Sequence, residues 1–169
     1  MLKSRRRAAG AAFGLLCAAA LATPAHAGTV SSNLAVSATV NANCTISTTP
    51  LDFGSIDALT GAAVNGTGGI SVACTNGTSW TAAASVGSGS GATFAVRKMS
   101  DGSDTLNYTL YTDGTRTTVW GDGTGGSGTI GNTGTGSTQN VTVYARIAAG
   151  QTSVPAGDYD DTVSVTITY

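Results

Sequence analysis

The chain has 169 residues, 10% of them charged, and a formal net charge of −1. Four of its eight Lys+Arg lie in the first seven residues, which leaves Arg97, Lys98, Arg116 and Arg146 against nine aspartates, a balance of −5. Four scattered cations exclude nucleic acid and anionic membrane surfaces as partners.

Residues 1–27 read as a secretory signal peptide. "MLKSRRR" is a basic start, "AAGAAFGLLCAAALA" is an uncharged apolar run, and "AHA" ends it, with cleavage expected between Ala27 and Gly28. The run is short and alanine-rich for a membrane span, so no direct membrane insertion is expected. A lipoprotein reading centred on Cys17 meets a poor lipobox, and a twin-arginine reading at Arg5-Arg6 lacks the hydrophobic residue it needs. The one histidine, His26, leaves with the signal, whereas Cys44 and Cys74 stay. Two cysteines in an exported chain read as one disulfide closing a loop of about 30 residues, worth ~3–4 kcal/mol on the loop-entropy account. The alternative is a pair of buried free thiols. What remains after the signal is one domain, large enough to bury about two-thirds of its unfolded surface.

Residues 28–43 form a segment of their own. Val30, Leu34, Val36, Ala38 and Val40 fall on even positions, with Ser32 the one polar exception, and the odd positions are mostly polar. That period of two describes a strand with one apolar face, yet no hairpin turn joins it to a partner.

From residue 44 onward the chain is rich in Thr, Val, Ser and Gly and has no glutamate, which favours strands and turns over helices. Strand candidates follow in order: "CTIST", "LDFGSI" after Pro50, "GISVAC", "SWTAAASV", "ATFAVRKM" and "TLNYTLYT" around the Asp101-Gly102 turn, "TRTTVW", "QNVTVYARIA" and "DTVSVTITY". About eight short strands with such turns argue for an all-β, antiparallel, immunoglobulin-like sandwich over residues 44–169. Between Gly121 and Gly136 eight of sixteen residues are glycine, which predicts a mobile surface loop. It lacks the Lys-Ser/Thr ending and following helix of a phosphate loop.

The inventory for catalysis is poor. Without histidine or a free thiol there is no Ser-His-Asp or Cys-His arrangement and no zinc set, so no enzyme, cofactor or metal is expected. Asp101, Asp113 and Asp122 each precede glycine and read as turn formers before acid–base groups. Asp158, Asp160 and Asp161 cluster without the spacing of a calcium loop. Trp80, Trp120, Tyr108, Tyr111 and Tyr144 read as core or cross-strand aromatics, with a sugar platform as the lesser alternative.

The two ends carry the sharper signal. Val163, Val165, Ile167 and Tyr169 alternate on one face, and neither this stretch nor residues 29–43 contains a charge that would protect a sheet edge. Either the termini pair with each other, or the opening strand of one subunit completes the sheet of the next.

"LDFGSI" shortly after the first cysteine, a second cysteine after "GISVA", and the ending "VPAGDYDDTVSVTITY" resemble the spore coat protein U domain family, which includes subunits of archaic, Csu-type chaperone–usher pili. The resemblance implies an immunoglobulin-like fold lacking its last strand, with an apolar groove beside the C-terminal strand. It implies a structural, non-enzymatic pilin, with a periplasmic chaperone, an outer-membrane usher and other pilin subunits as partners, exported through the periplasm to a surface pilus serving adhesion and biofilm formation. On this chain Val30, Leu34, Val36, Ala38 and Val40 match the donor face, and Val163, Val165, Ile167 and Tyr169 match the groove edge. A secreted spore-coat or matrix protein is the alternative within the family; a lectin-like or calcium-dependent adhesive module is the alternative outside it.

Overall fold

Alternation of apolar and polar residues becomes pairing wherever a second alternating run lies within reach of a tight turn, and most of this chain obeys that rule. The structure, a computed structural model, describes residues 26–169, so the body of the expected signal peptide lies outside the described residues. Among the described residues there are eight strands: β1 (Cys44–Thr49), β2 (Val64–Cys74), β3 (Ser79–Ala84), β4 (Arg97–Asp101), β5 (Asp104–Tyr111), β6 (Ile130–Thr133), β7 (Thr138–Ile147) and β8 (Val165–Thr168). No helix interrupts them.

All strand pairs are antiparallel. One sheet has five strands in the order β1-β2-β7-β5-β4, and the other has three in the order β6-β3-β8. Inward positions alternate as expected: Ile70, Val72 and Cys74 on β2, Trp80, Ala82 and Ala84 on β3, Leu106, Tyr108 and Leu110 on β5, Val143, Ala145 and Ile147 on β7. Trp120 joins them, and its indole N–H donates to the Ala82 carbonyl at 3.1 Å. Trp80 donates to Gln139 Oε1 at 3.2 Å. Both tryptophans are thus core residues with their polar handles satisfied.

Several expected strands are shorter or absent, each for a local reason. "LDFGSI" is a loop: the Asp52 carboxylate accepts the Gly54 N–H at 2.7 Å, and Gly54 adopts φ +68°. Leu51 nonetheless lies flat on β2, because Gly68 gives it room; a Cβ there would stand 2.9 Å from Leu51 Cβ. "TRTTVW" is gathered around the Asp113 carboxylate, which accepts from Thr115 Oγ1, Thr117 N and Thr118 N. Only isolated bridges remain there, Val119 to Tyr111 and Trp120 to Gly128. In "ATFAVRKM" a turn between Thr93 and Val96 delays the strand to Arg97. The glycine-rich stretch departs the other way. It contains β6, paired with β3 from Ser79↔Thr133 to Ala82↔Ile130, because small residues let that backbone lie close against its neighbours. A Cβ at Gly134, for example, would meet the Thr75 carbonyl at 2.6 Å.

Strand β7 ends at Ile147, before the start of β5 has run out of unpaired backbone. The Gln151 side-chain amide takes over: Asn107 N–H donates to Gln151 Oε1 at 2.8 Å, and Gln151 Nε2 donates to the Asn107 carbonyl at 2.9 Å. One side chain thus imitates a paired strand residue. Replacing it, Gln151→Ala, should cost about 1–3 kcal/mol by orphaning half-buried backbone groups. The urea unfolding midpoint reads this directly, and an unchanged midpoint contradicts the role.

Residues 26–38 form a separate unit from Thr39–Tyr169, all of it exposed and without strand or helix. The strand expected over 30–40 is therefore not present in the isolated chain; it has no partner strand among the described residues.

Candidate interaction groove

An antiparallel sandwich has four sheet edges, and here they are not treated alike. The β4 edge bears Lys98 and Asp101, and backbone bonds between Ser100 and Asp160 cover it. The β6 edge is only four residues long. Like β6, the strands β1 and β8 contain neither a charge nor a proline, and each is bonded on one side alone. Charge, shortness and cover are the usual protections of an edge. These three strands have only brevity, and two of them, β1 and β8, flank the same opening.

That opening is a cavity of about 400 Å³ lined by Thr48, Thr49 and Leu51 on the β1 side and by Val163 and Val165 on the β8 side. Its floor is the core itself: Ile70, Leu110, Trp120 and Val143. A second cavity of about 700 Å³ shares Leu51, Phe53, Met99 and Tyr159 with it and runs on between residues 51–62 and 147–159. Together they form a continuous groove, apolar along its floor and polar at its rim, where the sandwich lacks a strand.

The groove's rim is set by polar bonds. Residues preceding β8 are tied to both sheets, by Asp160 to Ser100 of β4 and by Ser164 to Ser85 just after β3. The Asp161 carboxylate accepts from Ser88 N and Ser88 Oγ at 2.6 Å each, from Thr162 N at 2.7 Å and from the Tyr108 hydroxyl at 2.7 Å. Burial alone would raise its pKa, but these donors outweigh it and hold the carboxyl below the usual carboxylate range. Burial, with the bond to Asp161, pushes the Tyr108 phenol far above its ordinary value.

Beneath them lies Arg97, fully buried at 0% exposure. Its guanidinium donates to the Ser85 carbonyl through Nε at 3.1 Å and Nη2 at 2.8 Å, to Trp120 O at 2.7 Å and to Phe94 O at 3.0 Å. Desolvation lowers its pKa, yet a guanidinium stays charged. Arginine's planar fork suits this site, since one group satisfies three carbonyls from separate segments.

The residues expected at the ends occupy distinct places. Cys44 and Cys74 are joined in a disulfide with Cα atoms 4.1 Å apart, on opposed register positions of β1 and β2. Val163, Val165 and Ile167 alternate with exposed Thr and Ser, their side chains half-buried toward the core. Val163 precedes β8, and Tyr169 follows it at 57% exposure, so the expected edge shortens by a residue or two at each end. Val30, Leu34, Val36 and Val40 are 83–100% exposed, and Ala38 is exposed with them. Ala27 and Gly28 are exposed in the same unit. Sequence reasoning missed the parts played by Arg97 and Gln151, and weighed Asp161 only as a member of an acidic cluster. The first was signalled by position: Arg97 shares a strand face with Met99, opposite Tyr108 and Leu106, which face the core.

An all-β sandwich with one sheet short of a strand and an apolar groove in its place is an incomplete immunoglobulin-like domain. The chain belongs to the Spore Coat Protein U domain family, whose model matches residues 30–166. The family is structural, not enzymatic. The chain is 38% identical over 164 residues to Protein U of Myxococcus xanthus, which covers 87% of this chain and 89% of that protein. Its fold is similar to a chain in the crystal structure of the CsuC-CsuE chaperone-tip adhesion subunit pre-assembly complex from archaic chaperone-usher Csu pili of Acinetobacter baumannii. That likeness has a TM-score of 0.57 at 20% identity and covers 78% of this chain. The match spans about two fifths of the solved chain, 40% of its length.

Proposed function

We propose that the protein is a fibre-forming surface subunit in which residues 30–40 of one copy fill the groove of the next. The observation that carries this is the presence in one chain of an exposed, alternating apolar segment and of an apolar-floored groove flanked by two uncharged edges. Strand addition supplies backbone bonds along an edge and pockets for alternate side chains. The donor segment and the groove are different patches, so the contact is heterologous and propagates without closing. A groove that opens onto the core needs cover during export, which makes a periplasmic chaperone the first occupant and an outer-membrane usher the place of exchange. Surface adhesion and biofilm formation are the roles that such a fibre serves.

Electron microscopy of protein recovered from the cell surface tests this. Fibres one subunit wide are expected; discrete monomers or amorphous material overturn the reading. The similarity to Protein U over nearly the full length of both chains favours a second reading, a secreted coat or matrix protein that uses the same groove without a pilus. Secretion and surface association that persist without a usher would support that one.

A further inference from the structure

A pull on residues 30–43 enters the folded domain at Asn43, and the first element it meets is poorly held. Strand β1 has six residues, lies at a sheet edge, pairs only with β2, and exposes every side chain after Cys44. An edge strand pulled from its N-terminal end peels pair by pair, beginning with Cys44↔Cys74 and finishing with Thr49↔Gly69. The disulfide occupies the first of those pairs.

We infer that the Cys44–Cys74 bridge is a tension clasp, passing a pull on the N-terminal segment directly to Cys74 at the C-terminal end of β2 without stressing β1. The inference rests on the proposal that residues 30–40 are gripped by a neighbouring subunit. The chain around the bridge fits the role. Thr75 N donates to the Asn43 carbonyl at 2.9 Å, and Asn43 N donates to Thr75 Oγ1 at 3.1 Å, so the approach to the bridge is fastened to the same point of β2's end. Cys74 is buried at 3% exposure, and its carbonyl accepts Gly136 N at 3.1 Å. Beyond it the turn closed by Thr78 N to Thr75 O, 3.0 Å, leads into β3, and β3 pairs with the groove-edge strand β8.

The covalent route from the groove to the donor segment therefore runs through β3, the turn at 75–78 and the bridge. Residues 45–73 are bypassed. Without the bridge the same pull runs along β1 and then the strand-free loop 50–63 before it reaches β2. A fibre whose subunits each extended that loop would lengthen long before its groove contacts gave way.

Optical tweezers test the clasp on the full exported chain carrying a handle at each end, first oxidised and then after reduction of the folded molecule. Reducing a folded chain avoids asking whether a cysteine-free variant folds. The reduced chain should show an early step of up to about 70 Å, the extended length of residues 44–63, separate from and at lower force than the main rupture. The oxidised chain should lack that step. A reduced chain that opens in one event, at the oxidised force, overturns the clasp. Because one chain is pulled, this result is independent of whether fibres form, which microscopy decides.

Discussion

A chain lacking residues 29–40 should fold and accept a partner but form no fibres by itself, and added to the intact protein it should shorten fibres as a terminator. The deleted residues are all exposed and none belongs to the core, so its packing does not depend on them. Point substitutions sharpen the test. Leu34→Asp forfeits about 1.5–3 kcal/mol of apolar burial and places a charge in an apolar groove, which adds further cost. A combined loss of about 4 kcal/mol is roughly a thousandfold in dissociation constant. Val36→Asp should behave alike. Ser37→Asp and Thr39→Asp, on the opposite face of the period-two pattern, should leave fibres nearly as long as before. Negative-stain microscopy with sedimentation reads all four. Fibres from the deleted chain, or equal damage from both faces, would sink the donor assignment.

What was legible in the sequence and what was not divides along a physical line. Alternation is a property of consecutive residues, so β2, β3, β5, β7 and the half-buried face of Val163, Val165 and Ile167 could be read directly. The disulfide followed from an even cysteine pair in an exported chain, and the structure places it on matched register positions. Residues 30–40 show the limit of the same signal. Period two reports the capacity to be a strand, but a strand also needs an edge to pair with, and none among the described residues takes it. Beta-prone composition misled at "LDFGSI" and "TRTTVW", where carboxylates of Asp52 and Asp113 capture backbone N–H groups that a ladder would need. Glycine misled in the second half of Gly121–Gly136, where β6 forms and Gly134 is small because a Cβ would meet Cys74 and Thr75, whereas Gly125 and Gly126 do lie in open space. Arg97 escaped because its partners are backbone carbonyls, two of the three from other segments, and backbone carbonyls leave no mark in a sequence.

Arg97→Met should destabilise the domain by about 3–5 kcal/mol, since each buried carbonyl left without its donor costs about 1–3 kcal/mol and three are orphaned. Methionine fills much of the volume but leaves the carbonyls of Ser85, Phe94 and Trp120 without their donor. Against a total stability of about 5–15 kcal/mol that is a large share. The loss is sharpened by the missing strand, because an incomplete sandwich has less apolar contact between its sheets and leans on this tie from β4 to the chain just after β3. Arg97→Lys should recover only part of the loss, since an ammonium cannot present two nitrogens to Ser85 O while reaching Trp120. Urea midpoints on the oxidised protein measure both, and a midpoint for Arg97→Met within error of the wild type would refute the role. Acid should loosen the same region by another route. Asp161 has its folded pKa below the unfolded value, so its contribution is present above about pH 4, the unfolded carboxylate range, and is lost as pH falls toward the folded value. Asp161→Asn, which keeps one acceptor oxygen and removes the charge, should lower stability at neutral pH and flatten its fall between pH 4 and the acid limit. An unaltered acid profile in that variant would move the acid response to other carboxylates and leave Asp161 as a neutral-pH anchor for the groove rim.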